Sequence, residues 1–409
     1  MTLAAALGVT RGDVVSFVGG GGKTTSMFRL AGELRESGLR VVTTTSTHIN
    51  EFETRLAPAY ITPEEMASLR ECLDRHGHCL LAGRPDGRGR VCTLPTGVIA
   101  GLLRRPDVDC ILVEADGSKS RPLKAPAAHE PVVLGITTIL VPVAGMNCIG
   151  RLLDEECVHR PEIVARLAGL RPGSPITPEA VARVLAHPEG GAKGLPPGAR
   201  LVPLVNKVDA GDIRSARETA RRLLRRPNVD SVVLGSMDRH RPVREAWVPT
   251  AAVIPAGYGE VLPAVQAASG AGLDPVVVVA APGAAGLPEP SAEPSLRIVR
   301  NPEPDAGWGA SVRAGINTLP PRIRAALLFP PRWSWIDAGT VESFLQAHRR
   351  TLAPLCVSRP GGPILVDRSL FAEIRALGGE KDLHVLIGRH RGRAAAVPDA
   401  RGIAGPSGA

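Results

Sequence analysis

The chain has 409 residues, 44% hydrophobic, 22% charged and 3% aromatic, with a net charge of +9. That length allows two or three domains with full-sized cores. No stretch approaches the roughly 20 apolar residues of a membrane span, and so few aromatics leave little for base-stacking platforms. Neither a membrane nor nucleic acid is therefore an expected partner. Seven scattered cysteines suit a reducing cytoplasm. The opening MTLAAALGVTRGD lacks the basic start and long apolar core of a secretory leader.

The chain is organised around VVSFVGGGGKTTSMFRLAGEL, residues 14–34. Val14 to Val18 predicts a short buried strand. Gly19, Gly20, Gly21 and Gly22 follow, then Lys23, Thr24 and Thr25. Met27, Leu30, Ala31 and Leu34 recur at helical spacing. Strand, glycine loop, Lys-Thr and helix is the arrangement of a phosphate-binding loop. Glycines let successive N–H groups converge on phosphate oxygens, and the helix start adds partial positive charge. Lys23 would reach the β/γ-phosphates and the Thr24 hydroxyl would be a Mg²⁺ ligand. The longer Walker pattern has a glycine where Phe17 stands, so this is the shorter G-x-x-G-K-T-T.

Gly38 marks the helix end, and Arg40–Thr45 predicts a second strand running into TTTSTHIN. Thr43–Thr47 stand where open α/β sheets place ligands, although each threonine serves equally well as β-branched filler. Residues 50–105 are less regular. TPEEMASLRECL predicts a helix capped by Thr62 with Pro63 at its first position, and LPTGVIAGLLRR predicts another. His76, His78 and Cys79 read as a surface turn, because no second half with metal-ligand spacing follows.

DCILVEADGSK, residues 109–119, predicts a strand over Cys110–Val113 with Glu114 at its end. Glu114-Ala115-Asp116-Gly117 fits the acidic-x-x-Gly pattern of nucleotide switches. There a carboxylate holds Mg²⁺, usually through water, and the glycine N–H contacts the γ-phosphate. Lys23, Glu114 and Asp116 are the catalytic candidates, with Thr24 and Glu114 the metal candidates. Lys119, Arg121 and Lys124 follow at once, either as a second anion-binding face or as cations that neutralise the two acids. A strand over Thr138–Val143 comes next. His159 and Arg160 precede a further helix, where a lone histidine is more often structural. Thr177-Pro178-Glu179 opens another helix that closes near His187.

LVPLVNKVD, residues 201–209, runs a strand into Asn206-Lys207-Val208-Asp209. N-K-x-D in a nucleotide-binding fold reads guanine. Asp209 would accept from both guanine N–H groups, Lys207 would pack on the base, and Asn206 would tie this loop to the phosphate loop. A last strand spans Ser231–Leu234. Strands alternating with helices predict a mainly parallel sheet with helices on both faces. All three motifs then sit at strand C-termini around one crevice.

At these residues the chain resembles the YqeC family. GGGGKTT, the Thr-rich second strand, LVEADGSKSRPLKAPAAHEP, VHRPE and LVNKVD carry the resemblance, which covers roughly residues 5–240. The resemblance implies an accessory role toward selenium-dependent molybdenum hydroxylases. A more distant likeness to metallochaperone GTPases implies phosphate and Mg²⁺ at Lys23 and Thr24, metal near Glu114, base reading by Asn206 and Asp209, and a homodimer. From residue 249 the chain resembles a worn molybdenum-cofactor nucleotidyltransferase of the MobA/MocA type. Ile254-Pro255-Ala256-Gly257 keeps the opening turn without the basic residues that follow it in that family, and Phe329-Pro330-Pro331 stands where its metal-binding Asp would be. That resemblance implies a second Rossmann-like domain without catalysis.

The expected division is 1–248, 249–395 and a disordered tail over 396–409, with GLPEPSAEPS (286–295) an internal loop. The leading expectation is a cytoplasmic P-loop NTPase with Mg²⁺ and GTP, or ATP, that serves a molybdenum hydroxylase client or its cofactor. The alternatives are an ATP-dependent ligase or kinase, and a non-hydrolysing scaffold.

Overall fold

The computed structural model describes residues 1–398 apart from 48, 209–212, 257–260, 282–283, 285–286, 288–295, 332–335, 359–360 and 378–379. Asp209, Gly257 and most of 286–295 therefore lie outside the described residues. The chain divides into two compact units, Met1–Trp247 and Val248–Ala409.

The first unit opens with α1 (Leu3–Leu7), capped by the Thr2 hydroxyl, which the sequence reading left without structure. It continues through β1 (Val14–Gly19), α2 (Lys23–Glu36), β2 (Val41–Thr45) and β3 (Tyr60–Ile61). After these come α3 (Leu69–His76), β4 (His78–Leu81), α4 (Thr96–Leu102), β5 (Cys110–Glu114) and β6 (Ile139–Gly145). The unit closes with α5 (Pro161–Ala168), α6 (Pro178–Ala186), β7 (Arg200–Leu201), β8 (Leu204–Asn206), α7 (Ile213–Leu224), β9 (Val232–Gly235) and β10 (Val243–Trp247). The strands form one ten-stranded sheet in the order β10-β9-β8-β6-β1-β5-β2-β4-β3, with β7 also on β6. Every pairing is parallel except β9 with β10.

Parallel strands are covered on both faces, so they read as unbroken apolar runs. β1, β5 and β6 are buried at every position. One face packs Val18, Leu140 and Val205 against α5, α6 and α7. The other packs Val14, Val42 and Val113 against Leu69, Leu73 and Ile99 of α3 and α4. Met27, Leu30, Ala31 and Leu34 of α2 are all buried, and each of the larger three contributes roughly 1.5–3 kcal/mol. Because β1, β2, β5, β6 and β8 run the same way, Gly19, Thr45, Glu114, Gly145 and Asn206 end at one edge, where ligands of such sheets bind.

Several elements differ from expectation. The Thr62 capping box with Glu65 is present, but Pro63–Ser68 is a 3₁₀ turn and the α-helix begins at Leu69. The 201–209 strand is interrupted at Val202-Pro203, where proline cannot donate to a ladder. His78 and Cys79 do not form a surface turn. They lie fully buried on β4, where His78 bonds the Thr43 hydroxyl at 3.0 Å and meets the Phe28 ring. Burial holds His78 neutral, its pKa pushed down to about 4. Among the described residues no group of three or more His, Cys, Asp or Glu is arranged to hold a metal ion.

The second unit is also α/β. Its elements are β11 (Thr250–Ala256), α8 (Leu262–Gly270), β12 (Val276–Ala280), β13 (Leu296–Arg300), α9 (Trp308–Asn317) and β14 (Ala325–Leu328). Then follow α10 (Ala338–Thr351), β15 (Leu355–Val357), β16 (Ile364–Asp367), α11 (Phe371–Arg375), α12 (Glu380–His390) and β17 (Ala394–Ala396). The sheet order is β13-β12-β11-β14-β16-β15-β17. β17 corrects part of the expected disordered tail, because Ala396 pairs with Val357 and the Val397 N–H donates to Val357. Residues 399–409 lie outside the described residues. Phe329 is fully buried beyond β14, and its carbonyl accepts the Trp308 indole N–H at 2.9 Å. No described helix is long and apolar enough to cross a membrane.

Candidate functional site

A cleft of about 1000 Å³ opens at the C-terminal edge of the first unit's sheet. Gly21, Gly22, Lys23, Thr24, Thr25, Glu114, Gly117 and Lys207 all line it, so three separate stretches of chain contribute to one cavity. Thr47 lines it too, whereas Thr43 and Thr45 are spent on His78 and on the Glu114 carbonyl.

The glycine loop is built by close backbone approach. Gly21 has φ +77°, and a Cβ there would stand 2.2 Å from the Gly145 nitrogen. A Cβ on Gly22, with φ +116°, would stand 2.6 Å from Asn206 Nδ2. The loop also spends its own donors. The Gly19 N–H donates to Asp116, Gly20 to the Val143 carbonyl and Gly21 to the Arg121 carbonyl. The glycine N–H groups expected to face phosphate are thus largely used to seat the loop. The first helical bond runs from Ser26 N–H to the Gly22 carbonyl. Gly22, Lys23, Thr24 and Thr25 therefore carry the four N–H groups that a helix start leaves without intrahelical acceptors, and all four residues line the cleft.

Lys23 is buried with its amine 2.9 Å from the Gly19 carbonyl, 3.3 Å from Asp116 and 3.6 Å from Glu114. Burial works against its charge, but the two carboxylates outweigh burial and raise its pKa. Burial likewise pushes the Glu114 carboxyl up, partly offset by Lys23 and by the Thr24 hydroxyl, which donates to it at 2.8 Å. Asp116 does not line the cleft. It sits beneath the loop at 1% exposure, accepting the Gly19 N–H and pairing with Lys124 at 2.9 Å, so it acts through the loop it holds.

Lys124, Glu130 and Arg160 continue the network. Lys124 lies 2.6 Å and Arg160 2.8 Å from Glu130. Although burial opposes its charge, the Glu130 carboxylate falls to about 2 because Arg160 and Lys124 hydrogen-bond to it. The three cations after Glu114 therefore divide: Lys124 neutralises Asp116 and Glu130, whereas Lys119 and Arg121 line the cleft. Sequence reasoning missed Glu130; its one signal was its place in the LKAPAAHEP block.

Asn206 is buried and joins two of the motifs. Its Nδ2 donates to the Gly21 carbonyl at 2.8 Å, and its Oδ1 accepts the Met237 N–H at 3.0 Å. Lys207 has φ +58° and runs its stem past Gly145 into the cleft. Lys119, Ser120 and Arg160 also have positive φ, so four of the five such non-glycine residues described line this one cavity. Strained backbone of this kind persists where surrounding structure holds it, and it concentrates at functional sites.

Residues 15–162 match the family model described as YqeC protein, and residues 261–394 match the MobA-like NTP transferase domain. The Escherichia coli (strain K12) protein YqeC is 30% identical over 238 residues, spanning 58% of this chain and 93% of that protein. The chain belongs to the YqeC family. Among solved structures, Rv0371c of Mycobacterium tuberculosis H37Rv in complex with manganese is 18% identical, covers 36% of this chain and 86% of that one, and has a TM-score of 0.30. The rv0371c homolog of Mycobacterium sp. strain JC1 is 21% identical, covers 36% and 85%, and has a TM-score of 0.29. The family match spans the glycine loop, Glu114, Asp116 and the Glu130–Arg160 pair. It ends before Asn206, whose bond to Gly21 nevertheless ties the later motif to the matched region.

Proposed function

We propose that the first unit binds a magnesium nucleotide, GTP ahead of ATP, and hydrolyses it as a maturation factor for a molybdenum hydroxylase or its cofactor. The observation that carries this reading is the meeting of the α2 start, Lys23, Thr24 and Glu114 at one end of the cleft. Thr24 and Glu114 present hard oxygen donors 2.8 Å apart, a set that suits Mg²⁺. Bound there, the ion would neutralise phosphate charge.

In this reading Lys23 exchanges carboxylate partners for phosphate oxygens. The Gly22–Thr25 N–H groups hold the same phosphates against the helix start. Asp116 keeps the loop and the lysine in position, and a water is the nucleophile. Guanine preference is supported by Asn206 on Gly21 and by Lys207 in the cleft, with Asp209 completing the N-K-x-D pattern in sequence. The molybdenum association is supported by the MobA-like domain on the same chain. In that domain the apolar Phe329 stands where a metal-binding acid is expected, which favours a docking role over catalysis.

The test is nucleotide binding with Mg²⁺ by wild type, Lys23→Ala and Asp209→Asn. GTP should bind more tightly than ATP, Lys23→Ala should lose at least tenfold, and Asp209→Asn should shift preference toward xanthosine nucleotides. Binding of neither nucleotide sinks the proposal, and ATP preference turns it toward a ligase or kinase. Phosphate release measured with and without the client separates hydrolysis from a scaffold.

A further inference from the structure

We infer that the cleft wall formed by Lys119, Ser120, Arg121, His159 and Arg160 binds a second small anion, a phosphate- or carboxylate-bearing substrate, beside the nucleotide. The anion is a second ligand only if the nucleotide reading holds; its site does not depend on that reading.

The cations of the cleft are of two kinds. Lys23 and Arg160 are matched by Glu114, Asp116 and Glu130 at short range. Lys119 and Arg121, like Arg90 and Lys207, line the cleft without an ion pair among the described residues, and the first two stand two positions apart on one turn. Two such cations on one short turn make this wall electropositive, which favours an anion there.

Their backbone is held in place. Lys119 and Ser120 are consecutive left-handed residues at φ +49° and +58°, closed by a turn bond from Arg121 N–H to the Ser118 carbonyl at 3.0 Å. The segment is then fastened to the sheet edge. The Arg121 carbonyl accepts the Gly21 N–H at 2.9 Å, and the Pro122 carbonyl accepts the Gly145 N–H at 2.8 Å.

His159, Arg160 and the start of α5 line the same cavity, the helix start adding partial positive charge. His159 reports the local field: burial first, then Arg160, Lys124 and Lys119, push its pKa down to about 4. It is therefore a neutral imidazole near pH 7, able to donate one hydrogen bond. Exposed Glu155 and Glu162 also line the cleft, so the wall suits a compact anion rather than an extended polyanion. At about 1000 Å³ the cavity is at the upper end of the range for ligand sites.

The test is calorimetric titration of the full chain with inorganic phosphate, comparing wild type with Lys119→Ala/Arg121→Ala. Neither side chain makes an ion pair among the described residues, and circular dichroism would check that the variant folds. The expected result is loss of one phosphate site, or at least a tenfold drop in phosphate affinity, with magnesium–GTP affinity kept within about twofold. Repeating the titration with malonate distinguishes a carboxylate-bearing ligand from a phosphate-bearing one. Unchanged phosphate and malonate binding in the variant overturns the inference. A parallel loss of GTP affinity also overturns it, because the two cations would then serve the nucleotide's own phosphates. A wild type that takes phosphate but no nucleotide leaves the anion site standing and removes only the nucleotide reading.

Discussion

Replacing Asn206 by Ala should loosen two distant parts of the first unit together. The side chain is 3% exposed and makes two bonds, to the Gly21 carbonyl at 2.8 Å and from the Met237 N–H at 3.0 Å. Truncation leaves both backbone groups without those partners, and each such buried group costs about 1–3 kcal/mol. The expected loss is therefore about 2–6 kcal/mol. Because the chain has two units, a single unfolding midpoint would blur this local effect. Amide hydrogen exchange resolves it by segment. Protection over residues 14–36 and 204–237 should fall about 30-fold or more, since about 1.4 kcal/mol corresponds to a factor of ten. Segments in the second unit should not change. Asn206→Asp keeps the acceptor for Met237 but sets a carboxylate against the Gly21 carbonyl, so it should restore protection near Met237 only. Protection within about threefold of wild type in Asn206→Ala would refute the claim that this side chain joins the two loops.

Gly21→Ala should destabilise the first unit by more than about 3 kcal/mol, because its Cβ would lie 2.2 Å from a backbone nitrogen at a positive φ. Gly117→Ala, whose Cβ meets nothing within 4 Å, should cost under about 1 kcal/mol; thermal unfolding of both variants checks the contrast. Glu130 has a folded pKa of about 2 against an ordinary 4.5. Its stabilising contribution is therefore present above about 4.5 and is lost as pH falls toward 2. Glu130→Gln should be less stable at pH 7 yet show a flatter acid limb over that window. His159 has its pKa lowered from 6.5 to about 4. The unfolded chain thus binds more protons between those values, and this contribution is full above 6.5 and lost on acidification to 4. Its imidazole resonances should titrate near 4, and Lys119→Ala should move that midpoint upward.

The parts legible in the sequence were those set by local pattern. The apolar face of α2, the buried runs of β1 and β5, and the acid ending β5 follow from residue order alone. β4 was not legible, because HCLL is short, opens on a histidine and follows a charged helix. β17 was hidden in an Ala-rich stretch that gains strand geometry only by pairing with β15. At the site, residue types gave the glycines, lysine and acids, but not their partners. That Asp116 lies beneath the loop, and that Lys124 and Arg160 share Glu130, depends on chain segments that only the fold brings together. The positive φ values at Lys119, Ser120, Arg160 and Lys207 carry no signature in side chains that ordinarily avoid that region.

A crystal of the chain grown with Mg²⁺ and a non-hydrolysable GTP analogue gives the decisive view. The triphosphate should lie on the N–H groups of Gly22 to Thr25, with Lys23 turned to it, the metal between Thr24 and Glu114, and the base beside Lys207. A nucleotide bound elsewhere, or a Lys23 still held by Asp116 with the nucleotide in place, would contradict the account.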